Sequence, residues 1–377
     1  MQSAEQNAPT APPLRVLHLS TEGSWRGGEQ QIANLIQSLE ALGVENFLLA
    51  RSNSPMETFA RERGWRVNAV PFRGSFNLRA ARALARYARQ QKVQLVHCHT
   101  AKGHSLAVLA NVLGMHLPLV VHRRVDFPVR KNLLTQWKYN HPSVRRIVCV
   151  SDFIAALVRP SVRSPERVIT IHSAINPERF SAPPATDLLR SEFGFRPETP
   201  VVVNTSALAD HKDYPTFLRT AAKLSRVRPD CRFVIFGHGP LEDELRAMQK
   251  ALGLQQVVHF AGFRRNVQHY LPFASVFLMT SKTEGLGTSI LDAFAARVPV
   301  VATRAGGIPE MVVNGETGLA APVGDDAALA SAVQRLLQEP PLQKNLTTNA
   351  FHRLEQRFTL LPMARKTYSL YQEVALR

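Results

Sequence analysis

Short apolar runs alternate along the chain with longer segments that mix apolar and polar residues. RVLHLS (15–20), VENFLLA (44–50), WRVNAV (65–70), VQLVHCH (93–99), PLVVHR (118–123) and RRIVCVS (145–151) are each the length of one buried strand. Segments of helical period lie between them. EQQIANLIQSLEALG is amphipathic and closes at Gly43. LRAARALARYARQ (78–90) repeats Arg79, Arg82, Arg86 and Arg89 every three or four residues, which gives it one basic face. The pattern breaks over residues 176–200, where prolines and polar residues read as a linker. It restarts with VVVNTSA, RFVIFGHGP, VVHFAGF, SVFLMTS and VPVVATR, and LLPMARKTYSLYQEVALR reads as a terminal helix. Strands alternating with helices predict parallel sheets, here two α/β domains facing a cleft. Open parallel sheets bind ligands beyond the carboxyl ends of their strands, so the cleft is the expected site.

Composition narrows this picture. A length of 377 residues suits two domains, and 45% apolar with 20% charged residues describes a globular chain. Cys98, Cys149 and Cys231 sit in apolar runs with no CxxC, which predicts buried thiols in a reducing compartment. No run of eighteen apolar residues occurs, and MQSAEQNAPTAPP lacks the basic and hydrophobic regions of a signal peptide. Residues 1–13 are therefore expected to be a disordered leader, and the protein to be cytoplasmic. The net charge of +17 is uneven. Residues 1–185 hold 24 Lys and Arg against 11 Asp and Glu; residues 186–377 hold 22 against 18. A positive field in the first half favours anionic partners: nucleic acid, a phospholipid surface or a phosphorylated glycan. The basic stretches lack interleaved aromatics, and aromatics total 7%, which speaks against a charge-driven nucleic-acid binder.

SKTEGLGTSILDAFAARVPVVAT (281–303) carries the most chemistry. A strand ends, a loop presents Glu284, Gly285, Leu286 and Gly287, and a helix begins near Thr288 or Ser289. Glycines let a ligand approach the backbone, and the first amides of the helix suit phosphate. Glu284 can accept hydrogen bonds from sugar hydroxyls, and Asp292, one turn into the helix, from the two hydroxyls of a ribose. An N-cap acid followed by a solvated helix acid would give the same spacing.

The longer stretch EGLGTSILDAFAARVPVVATRAGGIPEMVVNGETGL resembles the donor-sugar signature of the retaining glycosyltransferases of family 4. The family pattern is Glu, seven residues, Glu, a proline-valine strand, Gly-Gly-x-x-Glu and an Asn-Gly-x-x-Gly turn. The chain departs from it at Asp292, a carboxylate one methylene shorter. The resemblance extends to RGGEQQIANLIQSLEALG, where Gly27 and Gly28 would lie beside the diphosphate, and to NTSALADHKDYPTFL. There Lys212 matches a lysine that holds the diphosphate in relatives, while Ala207 stands at the position of their arginine. VIFGHGPLEDEL places Gly237 near the nucleotide, and FAGFRRNVQHYL places Phe263 and Arg264 near the base. His122 aligns with a histidine that touches the donor sugar. Arg123, Arg124 and Asp126 follow it, and with Glu29 they are the expected acceptor contacts. The family's Asn-Gly-Val-Asp segment reads His172-Ser173-Ala174-Ile175-Asn176 here, and no role is expected of it.

The resemblance implies a GT-B fold of two Rossmann-like domains. The expected division is 14–182 for acceptor binding and 183–358 for the nucleotide sugar, with helix 359–377 packing back on the first domain. It implies a glycosyltransferase that moves a sugar from a nucleotide-diphosphate sugar, UDP-linked by expectation, to a lipopolysaccharide-core or other lipid-linked glycan at the inner membrane face. His122, Glu284 and Lys212 are the expected catalytic residues. No D-x-D occurs, and the H-x-H at His97 and His99 has no acidic partner at ligand spacing, so no metal or other cofactor is expected. A sugar-nucleotide epimerase on the same fold is the alternative reading.

Overall fold

The computed structural model describes residues 13–72, 77–130, 132–182 and 184–376. The expected leader lies outside the described residues except for Pro13. The first lobe is a seven-stranded, all-parallel sheet: β1 (Arg15–Ser20), β2 (Glu45–Arg51), β3 (Arg66–Val70), β4 (Leu95–Cys98), β5 (Leu119–Arg123), β6 (Val144–Cys149) and β7 (Val168–Thr170). Their order is β3-β2-β1-β4-β5-β6-β7. The helices α1 (Gly27–Glu40), α2 (Pro55–Glu62), α3 (Leu78–Gln90), α4 (Ala101–Val112), α5 (Leu133–Tyr139) and α6 (Asp152–Val158) cover both faces. The central strands are buried along most of their length because a parallel sheet is covered on both sides, and they are apolar but for His18, Ser20, His97, His122 and the arginines at their ends.

After α7 (Leu188–Phe193) the second lobe repeats the plan. Its strands are β8 (Val201–Thr205), β9 (Arg232–Phe236), β10 (Val258–Phe260), β11 (Val276–Met279), β12 (Val300–Thr303) and β13 (Leu319–Ala321), in the order β10-β9-β8-β11-β12-β13. Its helices are α8 (Tyr214–Val227), α9 (Glu242–Ala251), α10 (Thr288–Ala295), α11 (Asp326–Gln338) and α12 (Pro340–Arg357). In both sheets the order reverses beside the first strand, β1 or β8, and such a crevice is where open α/β sheets take ligands.

The chain then crosses back. Ile175 N–H donates to the Phe358 carbonyl at 3.0 Å, and α13 (Leu360–Ala375) packs on α1 of the first lobe. Met363, Leu370, Tyr371 and Val374 join a core with Val16, Leu35, Val120 and Val148.

Residues 176–200 hold structure that their composition hides. Asp187 caps α7, Gly194 closes it, and Arg190 binds the carbonyls of Thr199 and Phe273. A helix of six residues is too short to show a period, and the three-residue strands β7 and β13 are missed for the same reason.

Candidate active site

The donor loop is built by close backbone packing. Gly287, at φ +93°, sets the start of α10, and no side chain caps the helix. Its first amides are therefore left for a ligand. The loop lies so close to its neighbours that a methyl group on Gly306 would overlap the Glu284 carbonyl. One on Gly285 would stand 2.6 Å from the carbonyl oxygen of Arg124 in the other lobe. The Gly-Gly pair of the sequence motif is therefore a packing requirement of the loop that holds Glu284.

Lys212 ends a tight turn after β8. The Thr280 hydroxyl donates to the carbonyls of Lys212 and Asp213, which locks that turn onto the donor loop. The Lys212 Nζ then stands 2.7 and 2.9 Å from the two carboxylate oxygens of Glu284, and both side chains are 13% exposed. Two groups 72 residues apart thus form one charged, half-enclosed pair beside the open end of α10. Asp292 is half-buried, and its buried Oδ1 has no protein partner among the described residues. Burial raises its carboxyl pKa to about 6, and Arg179 opposes that shift.

On the facing lobe, Gly27 and Gly28 open α1, and a methyl on Gly28 would lie 3.9 Å from the Arg124 side chain. Arg124 donates to the His99 carbonyl and lies 3.3 Å from its Nδ1. His122 reaches His97 through Nδ1 at 3.3 Å, and its buried Nε2 has no partner. Burial, then Arg124, holds the His122 imidazole well below its usual pKa, so the ring is neutral.

The lobes meet at this point. The Thr283 hydroxyl donates to Asp126 at 2.7 Å, and Glu310 clasps the first lobe. Its carboxylate accepts the Asp152 and Phe153 amides at 2.9 Å each and lies 2.7 Å from His172 Nε2. Glu310 thereby binds the first amides of α6 from across the cleft.

The structure thus brings Lys212, Glu284, Gly285, Arg124, Asp126 and Gly28 to one place. It separates others. Arg123 was expected at the acceptor, but it is buried and donates to the Tyr139 hydroxyl and the Phe127 carbonyl. Successive strand residues face opposite sides, so Arg123 turns away when His122 turns in. Glu29 is buried, and its carboxylate accepts the Arg26 amide at 3.0 Å, closing the first turn of α1. Leu286 is core. Gly237 packs on the Ser206 carbonyl, Phe263 is 66% exposed, and Arg264 pairs with Glu192. His172 and Glu310 had no expected role, because a contact between lobes leaves no periodic trace in the sequence.

Comparison with known proteins agrees with this layout. Residues 25–179 match the model of Glycosyltransferase Family 4, and residues 186–353 that of Glycosyl transferases group 1. The chain is 30% identical over 286 residues to the glycosyltransferase EpsD of Bacillus subtilis, covering 72% of this chain and 74% of EpsD. It is 26% identical to the lipopolysaccharide core biosynthesis glycosyltransferase LpsE of Rhizobium meliloti, covering 91% and 94%. The Anabaena protein Alr3699/HepE, solved with UDP, superposes with a TM-score of 0.84 at 19% identity over 96% of this chain and all of that one. Two paired sheets of GT-B type, the Glu284–Gly287 loop set against the opposite lobe and these matches lead to one conclusion: the chain is a glycosyltransferase and belongs to family 4.

Proposed function

We propose that the enzyme transfers a sugar, with retention, from a UDP-sugar to a lipopolysaccharide-core or other lipid-linked glycan at the cytoplasmic face of the membrane. The observation that carries the donor half is the Lys212–Glu284 pair beside the uncapped start of α10. As the bond between the anomeric carbon and the β-phosphate oxygen breaks, negative charge grows on the diphosphate. Lys212, the α10 amides and the amides at Gly27 and Gly28 stabilise that charge more in the transition state than in the ground state. Glu284 then holds sugar hydroxyls, and His122 donates to the same sugar. The acceptor oxygen forms the new bond on the face the diphosphate leaves, and its proton passes to the departing phosphate oxygen. The charge-stabilising work falls to an ammonium group and helix amides, so no metal is required in this scheme.

Asp292 suits the ribose: a half-buried carboxylate with one buried, unpartnered oxygen gains hydrogen bonds when hydroxyls arrive. The UDP held by HepE supports uridine as the base. A thermal-shift screen of UDP-, GDP- and ADP-sugars in EDTA tests the donor assignment. At 100 times its Kd, a UDP-sugar should stabilise the fold by about 2.7 kcal/mol. Stabilisation by a GDP- or ADP-sugar alone would overturn the base, and no response to any of the three would overturn the site.

The acceptor half rests on the lipopolysaccharide-core relative and on one flank of the first lobe. No helix among the described residues is long and apolar enough to cross a membrane. On that flank α3 packs on α4 and α4 on α5. Arg79, Arg82, Arg86 and Arg89 are exposed, with no ion pair among the described residues. Beside them α5 presents Leu133, 90% exposed, with Leu134 and Trp137, and Phe127 is exposed in the loop that leads to the donor site. Residues 101–164 carry ten Lys and Arg against two Asp. Apolar side chains ringed by positive charge fit an anionic lipid surface. Each arginine near such a surface contributes about 1 kcal/mol, roughly fivefold in partitioning. Binding to anionic vesicles should therefore weaken steeply with salt and be lost in L133E/W137E with UDP binding unchanged. Salt-insensitive or absent binding would refute the membrane assignment alone.

A further inference from the structure

Beneath His122 lies a series of groups, two of them buried, that the transfer scheme does not otherwise use. Tyr371 on α13, His97 on β4 and His122 on β5 are joined in series. The Tyr371 hydroxyl is bonded to His97 Nδ1, His97 Nε2 stands 3.3 Å from His122 Nδ1, and His122 Nε2 ends the chain without a partner. Tyr371 and His97 are 0% and 1% exposed. A parallel series runs beside it. The Asn46 side-chain amide donates to the carbonyls of Ile36 and Val44, so its Oδ1 accepts. His18 must then carry its proton on Nε2, 2.9 Å away, and accept at Nδ1 from His99 Nε2, also 2.9 Å away. His99 Nδ1 is left to accept from Arg124. Every atom of that series is satisfied with neutral rings.

The first series has two possible directions, and each leaves one buried donor without an acceptor in the free enzyme: the Tyr371 hydroxyl in one, His122 Nε2–H in the other, of which only the second can be met by an oxygen of a bound sugar. If His122 donated to His97 and His97 to Tyr371, the hydroxyl proton of Tyr371 would have no acceptor, because His97 is its only hydrogen-bond partner among the described residues. An unsatisfied buried donor costs about 1–3 kcal/mol. Run the other way, Tyr371 donates to His97 Nδ1, His97 Nε2–H donates to His122 Nδ1, and His122 carries its own proton on Nε2. We infer that Tyr371 is a positioning residue: through His97 it fixes His122 as the Nε2–H tautomer, so that a neutral donor, and not a bare lone pair, faces an oxygen of the transferring sugar. The titratable and charged groups around this series are His18, His99, Arg124, Glu29 and the His172–Glu310 pair, and Arg124 and burial keep His122 uncharged. The geometry supplies the series, and both the choice of tautomer and its use in transfer rest on the proposed contact of His122 with the sugar.

Long-range proton–nitrogen NMR of the full-length enzyme labelled at histidine nitrogen, with His122 assigned through H122Q, reads the tautomer directly. Wild type with a UDP-sugar bound should show His122 protonated at Nε2 at pH 7. Tyr371→Phe, which deletes one hydroxyl, should show a share of the Nδ1–H form. It should lower kcat about threefold to tenfold, the worth of one hydrogen bond, and leave the donor KM within twofold. An Nδ1–H or charged His122 in that wild-type complex would overturn the inference. So would an unchanged tautomer and kcat in Tyr371→Phe. Full activity in His122→Ala would instead overturn the sugar contact on which the assignment rests, and leave the roles of Lys212 and Glu284 untouched.

Discussion

Lys212→Ala is expected to lower kcat about 10²–10³-fold, the typical loss when one preorganised donor to a developing oxyanion is removed. The residue has two tasks here. In the proposed scheme it supplies a positive charge to the leaving diphosphate, and in the structure it holds both oxygens of Glu284 at 2.7–2.9 Å. Removing it leaves Glu284 as a carboxylate 13% exposed with no counter-charge, so the donor sugar loses its aligned acceptor as well. Glu284→Ala should be comparably inactive with the fold intact, because the loop is held by the glycine packing and the Thr280 bonds and not by the carboxylate. The double variant should be little worse than either single one, since the two act as a unit. Initial rates with a labelled donor, with circular dichroism as a control, decide the matter. A Lys212→Ala rate within threefold of wild type would remove Lys212 from the mechanism.

Acid should unfold the protein early. His18, His97, His99, His104 and His122 are all held below their usual pKa by burial, His18 to about 4. In the unfolded chain each takes a proton near pH 6.5, whereas the folded chain resists it. The unfolded state therefore binds more protons in this window. Stability is present in full above pH 6.5, falls as the pH drops, and for His18 stops falling near pH 4. His18 alone accounts for about 3 kcal/mol of that loss. Asp292 acts in the opposite sense: with its folded pKa raised to about 6, it takes up a proton before the unfolded chain does and returns a comparable amount as the pH falls toward 3.8. His97, His99, His104 and His122 also stand on the destabilising side, so the balance is a loss. Urea midpoints at pH 7.5, 6.0, 5.0 and 4.5 should fall in order. His104→Gln, remote from the site, should flatten part of the slope. Constant midpoints from pH 7 to pH 5 would contradict the neutral-histidine network.

Much of this architecture is written in local pattern. The strand Arg15–Ser20 and the helix Leu78–Gln90 fall where their apolar spacing places them, because the strand is buried on both sides as a short continuous run and the helix buries one regular face. The donor loop was legible for a related reason. Glycines at a strand end, a helix start and a carboxylate at each side are local features that a sequence can display. The partners of those residues were not legible. Nothing near Glu284 announces Lys212 as its mate, and nothing near Glu310 announces the amides at the start of α6. The inward turn of Arg123 follows from strand alternation once β5 ends at Arg123, yet the run PLVVHRR by itself leaves the last strand residue undefined. The histidines looked like packed strand residues or scattered ligands. Their order became visible only when β1, β4, β5 and α13 were laid side by side.

The central claim is that two lobes clasp a diphosphate and that Lys212, with helix amides and no divalent ion, lets it leave. Calorimetric titration of UDP onto wild type and Lys212→Ala, each with and without EDTA, tests it most directly. The account predicts wild-type binding that EDTA does not alter and binding at least tenfold weaker in Lys212→Ala. Wild-type binding that disappears with EDTA, or equal affinity in the two proteins, would contradict it.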